Sequence, residues 1–386
     1  MSKICRFTSF VAITALLALL LQFATVLGAV NGTLPSVSGK SAILMEKSSH
    51  TVIYQKNADV KLPMASTTKI MTAIVALEQV EPSLIVSVPA AAVGIEGSSV
   101  YLYEGEKLSM EDLLYALLLE SANDAATAIA ITVAGSVEAF AELMNQKAAS
   151  IGMTNTHFTN PHGLDNDEHY TTAYDMALLA AYCLDNATFS TIVATKRKTI
   201  PLHDTEGVRL LLNHNRLLRT YEGTVGLKTG YTKRSGRCLV SACVRDGVCL
   251  IAVTINAPDD WNDHMQMFDY GFANYESVRL AEKEALCFAV PVIGGVEAVV
   301  SVTNPTEICV AMRKNHGEIR QSVELPRWTA PTIEQGQQLG RVVYTCNGEE
   351  IAEVPLVATK KVDKKRTKQG IFQRIVAFFR LFNNKS

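Results

Sequence analysis

The sequence predicts a mixed α/β domain, then a small all-β domain, then a C-terminal amphipathic helix. Three observations carry this. Apolar residues recur with helical spacing in several segments between residues 64 and 184. From about residue 275 short alternating runs take over. After residue 359 a basic stretch leads into another helical stripe. The 386 residues are 48% hydrophobic and 19% charged. That is ample for two domains and excludes a disordered, collagenous or polytopic membrane protein.

Lys3 and Arg6 precede an apolar run over residues 10–21, and the small residues Ala24, Gly28 and Ala29 follow. These are the parts of a secretory signal peptide, placed at 1–29. An uncleaved signal anchor is the alternative, because residues 10–29 just reach across a bilayer. Either way the body is exported. Residues 41–55 read as a hairpin turning at 47–50. Met64, Ile70, Met71, Ile74, Val75 and Leu77 then give a helix that starts near Ser66. Ser109, followed by Asp112, caps a second helix that carries Leu113, Leu114, Leu117 and Leu118 and ends at Glu120. Residues 124–150 are Ala-rich and helical, 160–170 are turn-rich, 171–184 are helical and 225–257 are strand-like. EAVVSV, EICVAM, QSVEL and RVVYTC supply the alternation beyond 275, and Asn347-Gly348 marks a tight hairpin. The α/β domain is therefore placed at 30–270, the all-β domain at 275–358 and the tail at 359–386.

The formal net charge of -2 conceals an asymmetry: residues 360–386 carry +8 and residues 30–359 carry -12. An acidic body argues against a general nucleic-acid binder, and a basic tail suits an anionic surface, most simply a membrane. In the tail, Ile371, Phe372, Ile375, Val376, Phe379 and Phe382 fall on one helical face. That helix is about 18 Å long, too short to cross a bilayer of about 30 Å, and it suits the membrane interface. A helix docked on the acidic body is the alternative.

Seven cysteines follow the signal segment: Cys183, Cys238, Cys243, Cys249, Cys287, Cys309 and Cys346. An odd number without C-x-x-C indicates neither a dense disulfide framework nor a zinc site. A hairpin turning at Asp246-Gly247 sends Cys243 and Cys249 to opposite faces, so they read as small buried hydrophobes. His157, His162 and His169 have no metal-ligand spacing. No metal and no cofactor is assigned. Asn213-His214-Asn215-Arg216 either lines a groove or forms a solvated loop.

Three short motifs stand in order: Ser66-Thr67-Thr68-Lys69, Ser121-Ala122-Asn123 and Lys228-Thr229-Gly230. Each alone is weak, since a helix-starting Ser is usually a cap and a strand Lys is usually solvated. Together they describe a nucleophile. Ser66 and Lys69 are i and i+3 on one helical face. A Ser hydroxyl needs an adjacent base. Lys69 serves if it is neutral, and burial and the nearby Lys228 cation both push its pKa down. The helix start near Ser66 offers backbone N–H groups to a developing oxyanion.

This set resembles the penicillin-recognising serine acyltransferases. More narrowly, PMASTTKIMTA, LLLESANDAA, NPHGLD and GLKTGYTKRSGRCL resemble low-molecular-mass penicillin-binding proteins that act as D-alanyl-D-alanine carboxypeptidases. The resemblance covers residues 38–270 closely, and the β domain and tail more loosely. It implies a β-lactamase/transpeptidase-like fold and an exported enzyme held at the outer face of the cytoplasmic membrane. It implies Ser66 as nucleophile, Lys69 as base and Ser121 as proton relay to the leaving amine. Asn123 would bind a substrate amide, and Lys228 and Thr229 the terminal carboxylate. Gly230 would let the substrate backbone lie close, and the Tyr231 N–H would be the second oxyanion donor. The substrate would be the peptidoglycan stem peptide, with β-lactams as covalent inhibitors.

Two departures stand out. Tyr231 occupies a position where some relatives carry His, and Ala122 replaces the Asp of S-D-N, which points away from class A β-lactamases. Those enzymes usually deacylate through a Glu in an E-x-x-L-N string, which this chain lacks. A D,D-endopeptidase, a β-lactamase of the same fold and a non-catalytic wall-binding or β-lactam-sensing protein remain as alternatives.

Overall fold

The computed structural model describes residues 33–202 and 207–365. Both the segment read as a signal peptide and the apolar stripe from Ile371 lie outside the described residues. Contacts divide the chain into two units, one ending at Glu276 and the other beginning at Ser277.

The first unit opens with β1 (Ser41–Glu46) and β2 (Val52–Lys56), the hairpin expected there. A single 3-10 turn (Ala65–Thr68) leads into α1 (Lys69–Gln79). The paired β3 (Ile85–Ser87) and β4 (Lys107–Ser109) precede α2 (Met110–Leu119), α3 (Asn123–Ala134), α4 (Val137–Ser150), α5 (Ala173–Cys183) and α6 (Ala187–Ala194). The paired β5 (Arg197–Pro201) and β6 (Val208–Leu212) and the short α7 (Leu217–Thr220) lead to β7 (Thr224–Thr232), β8 (Gly236–Arg245) and β9 (Val248–Ile255), and α8 (Asp260–Asn274) follows. The main sheet is antiparallel in the order β2-β1-β9-β8-β7. It leaves β7, which carries Lys228-Thr229-Gly230, on an edge. α1 is the central helix, with every residue from Lys69 to Ala76 buried. Its apolar side chains join those of α2, α3 and α5 in one core.

Local chemistry explains most of these boundaries. Ser109 Oγ accepts from Asp112 N at 3.0 Å and starts α2 as expected. The Ala-rich stretch is two helices and not one. Gly135 closes α3, and Ser136 starts α4 by accepting from Ala139 N at 3.1 Å. Asn123, one residue ahead of the helical stretch read from 124, is the first residue of α3.

The inner face of α8 mixes polar residues with Met267 and Phe268. Asp263 accepts from Ser38 N at 2.8 Å and from Ser38 Oγ at 2.7 Å. His264 sits between Ser241 Oγ and Thr254 Oγ1. Burial holds the His264 ring near pKa 3, so it packs as a neutral group. The β8–β9 turn falls at Asp246-Gly247, with Cys243 opposite Leu250 and Val244 opposite Cys249. All seven described cysteines are free thiols. Cys183, Cys238, Cys243 and Cys346 are buried, whereas Cys287 and Cys309 are exposed.

The second unit carries the remaining strands: β10 (Tyr275–Ala281, which begins in the first unit), β11 (Cys287–Pro291), β12 (Val299–Thr303), β13 (Ile308–Arg313), β14 (Ile319–Glu324), β15 (Gln338–Cys346) and β16 (Glu349–Ala358). Five of them form a sheet in the order β11-β12-β16-β15-β14, and β10 pairs with β13. The alternation read from the sequence places Val300, Val302, Val342, Tyr344, Val354 and Leu356 in one small core. Asn347-Gly348 makes the β15–β16 turn.

Candidate active site

Ser66 lies on the 3-10 turn, and Lys69 is the first residue of α1. Lys69 is fully buried. Its Nζ has three polar neighbours: Ser66 Oγ at 2.9 Å, Asn123 Oδ1 at 2.7 Å and the backbone oxygen of His162 at 2.6 Å. The last two can only accept. A neutral amine has two N–H groups and one lone pair. When Lys69 is neutral, its two N–H groups go to Asn123 and His162 and its lone pair is left for the Ser66 hydroxyl; when it is protonated, Nζ donates to Ser66 Oγ instead. The electrostatics agree with this geometry. Burial first, and then the charge of Lys228, hold the Lys69 pKa well below the ordinary lysine value, while Asp124 opposes them.

The His162 carbonyl is the group that sequence reasoning missed. NPHG reads only as a turn, and a backbone oxygen leaves no trace in residue type. The turn is nevertheless braced. Asn160 Oδ1 accepts from Gly163 N at 2.7 Å, and Pro161 O accepts from Thr72 Oγ1 on α1 at 2.6 Å. His169 Nδ1 accepts from Thr159 N at 3.0 Å, which leaves the proton of the neutral ring on Nε2, 2.8 Å from Thr68 Oγ1. Burial foremost lowers the His169 pKa to about 4, so the ring stays neutral at neutral pH. Gly163 has φ 88°, and a Cβ there would lie 2.0 Å from Ala65 O. Gly163→Ala is therefore expected to cost about 2–3 kcal/mol of stability. It should also slow acylation, because the relieving movement carries the His162 carbonyl away from Lys69. Urea unfolding and the rate of labelling by a fluorescent penicillin check the two effects.

Ser121 has φ 62° and Ala65, just before Ser66, has φ 48°. Both are non-glycine residues in the left-handed region, a conformation that costs about 1–2 kcal/mol per residue. Asn123 uses its oxygen on Lys69, and its Nδ2 donates to Glu96 O. It braces the base, a contact made in addition to the substrate-amide role that the resemblance implies. The neighbouring Asp124 accepts from Ser99 Oγ and from Leu102 N at 3.0 Å, which fixes the loop beside the site.

On β7, Gly230 meets the nucleophile turn: a Cβ there would lie 3.0 Å from Ser66 N and 3.1 Å from Thr67 N. The glycine permits strand and turn to touch, a further reason for it beside the close approach of substrate that the resemblance implies. Lys228 is buried, and its Nζ donates to Thr229 O at 2.9 Å. Burial lowers its pKa to about 7, against the raising effect of Glu120.

Ser66, Ser121, Thr229, Gly230 and Tyr231 line a groove of about 340 Å³, together with Ser98, His214, Arg237, Asp260 and Trp261. Lys69, Asn123 and Lys228 are buried. His214 faces the groove with Nε2 3.1 Å from Glu120 Oε2. Asn213 and Asn215 are buried instead; Asn213 donates to Val193 O and Thr195 O, and Asn215 accepts from Leu217 N. Arg237 lies opposite Tyr231 in the β7–β8 pair. It donates to Asp260 at 2.8 and 3.1 Å, and its guanidinium carbon sits 5.6 Å from the Trp261 ring centroid.

The family described as D-alanyl-D-alanine carboxypeptidase matches residues 29–259. The chain belongs to this family. The description "Penicillin-binding protein 5, C-terminal domain" matches residues 275–364, so this carboxypeptidase family member carries a known companion module. Among relatives, the D-alanyl-D-alanine carboxypeptidase DacF of Bacillus subtilis is 32% identical, with 84% of this chain and 86% of that protein covered. DacC of Escherichia coli is 32% identical, with 89% and 88% covered. The solved structure of penicillin binding protein 5 from Haemophilus influenzae has a TM-score of 0.70 at 26% identity, and covers 86% of this chain and 100% of its own.

Proposed function

We propose that the chain is a serine-type D-alanyl-D-alanine carboxypeptidase that removes the terminal D-alanine from peptidoglycan stem peptides through an acyl-enzyme and is acylated by β-lactams. The observation that carries this reading is the three-point environment of Lys69, which leaves its lone pair for Ser66. In the reaction Ser66 Oγ attacks the penultimate D-Ala carbonyl while its proton passes to Lys69 Nζ. The backbone N–H groups of Ser66 and Tyr231 receive the oxyanion. Ser121, on the groove wall, relays the proton to the leaving amine, and D-alanine departs. Water then hydrolyses the ester. The substrate carboxylate meets the Thr229 hydroxyl under the charge of Lys228, with Arg237 as a further groove-lining cation.

The test is release of D-alanine from a peptide ending in D-Ala-D-Ala, with a cross-linked dimer and a β-lactam as parallel substrates. Carboxypeptidase action predicts fast release from the linear peptide and slow turnover of the other two. Amidating the terminal carboxylate is expected to cost on the order of 1.5–3 kcal/mol in kcat/KM, the scale of a charged hydrogen bond. Equal turnover of acid and amide favours an endopeptidase groove instead.

We place the enzyme outside the cytoplasmic membrane, held by the interfacial helix read from residue 371 onward. The basic composition of the tail and the apolar stripe beyond it support this reading.

A further inference from the structure

We infer that the tip of the β domain is itself a lipid-contacting surface that rests on an anionic membrane. The β11–β12 connection presents Ile293 and Val296 at 60% and 66% exposure, and Trp328 is 56% exposed. Backbone bonds gather these residues. Ile293 N donates to Thr329 O at 3.0 Å, and Thr329 N donates to Pro291 O at 2.9 Å, which brings Trp328 to one side of the tip. On the other side Val296 N donates to Asp363 O at 2.8 Å and Lys365 N to Gly294 O at 2.9 Å. Residues 363–365 are thus strapped along the turn and bring exposed lysines to it. Glu297 pairs with Lys360, and Asp363 and Glu334 pair with Lys361. Among the described residues, no carboxylate pairs with Lys364 or Lys365.

Aliphatic side chains at the apex of a turn, a tryptophan beside them and unneutralised lysines around them match the layers of a bilayer surface. The aliphatics enter the acyl boundary, the indole takes the interface and the ammonium groups reach anionic headgroups. The direction of the chain supports the same occupant. Beyond Lys365 the sequence holds five further Lys/Arg and no Asp or Glu over residues 366–386, so the basic segment leaves from this tip. The inference deepens the membrane reading above but rests on other residues, so deletion of the tail and substitution of the tip fail independently.

The test uses the full exported chain with Trp261→Phe, which makes Trp328 the sole tryptophan. Vesicles are equimolar phosphatidylglycerol and phosphatidylcholine, with a doxyl quencher high on the acyl chain. Trp328 emission is expected to shift to the blue and to be quenched, and to do neither on phosphatidylcholine alone. Ile293→Asp with Val296→Asp, made in the otherwise native chain, is expected to weaken vesicle partitioning by about tenfold or more while penicillin labelling stays unchanged. In the Trp261→Phe chain the same pair should abolish the quenching. Three results overturn the inference: Trp328 emission that does not respond to anionic vesicles, whether or not the chain sediments with them; quenching that survives the double substitution; or the same spectral shift with soluble polyphosphate, which assigns the cluster to a polyanionic wall polymer.

Discussion

Ser66→Ala is expected to gain no penicilloyl mass where the native chain gains one, and to lose D-alanine release by on the order of 10⁶-fold. Removing one hydroxyl leaves the rest of the site in place. The two N–H groups of a neutral Lys69 keep their acceptors on Asn123 and His162, and Gly230 still packs against the turn. Thermal stability should therefore move by only about 0.5–1.5 kcal/mol, the net worth of the one hydrogen bond to Lys69 that is lost. Intact-protein mass spectrometry after exposure to penicillin reads the first effect, and a melting curve reads the second. A penicilloyl adduct on the variant would show that another residue is the nucleophile. The loss should also be non-additive: adding Lys69→Met to Ser66→Ala should cost almost nothing more, because nucleophile and base act as one unit.

What could be read from the sequence, and what could not, divides along a physical line. Chemistry carried by side-chain identity was legible. Ser66 and Lys69 meet at 2.9 Å because the i, i+3 spacing dictates it, and Lys228-Thr229-Gly230 lies on an edge strand beside them. The short apolar runs that become β12 and β15, and turns with strong signals, such as Asp246-Gly247 and Asn347-Gly348, were legible for the same reason. Features carried by the backbone or by tertiary contact were not. The His162 carbonyl is one such feature, since any residue there offers the same oxygen. The use of Asn123 on the base is another, because an Asn serves substrate or scaffold equally well until its neighbours are placed. α8 is hard to read from sequence because Asp263 and His264 share its buried face with Met267 and Phe268, satisfied by Ser38, Ser241 and Thr254. The groove-lining Arg237 carries no signal in sequence, where a strand arginine is ordinarily a solvated charge. Its partners Asp260 and Trp261 come from the next helix.

Lys69→Met is expected to reduce acylation of Ser66 by on the order of 10⁴-fold, the scale of losing a positioned base, while the fold is kept or stabilised. Lys69 is wholly buried, so replacing its amine by an unbranched apolar side chain removes a group that is costly to bury. Lys69→Arg should lose acylation to the same degree for a different reason: the guanidinium does not deprotonate. The pH dependence separates a base from a mere structural amine. Lys69 must be neutral to accept the Ser66 proton, so kcat/KM falls as pH drops through its lowered pKa. Lys228 must be charged to attract the carboxylate, and its pKa of about 7 in the free enzyme gives a second, falling limb as pH rises past that value. Lys228 lowers Lys69, whereas burial alone lowers Lys228. The reaction requires a pH window in which Lys69 is neutral and Lys228 charged, and the charge of Lys228 acts in that direction on Lys69. A substrate with its terminal carboxylate amidated makes no use of the Lys228 charge, so its profile should keep the acid limb and lose the alkaline one. Stopped-flow acylation across the pH range, with the acid and amide forms side by side, reads both limbs. An acid limb that persists unchanged in Lys69→Met would assign the base to another group, and identical alkaline limbs for acid and amide would remove Lys228 from carboxylate recognition.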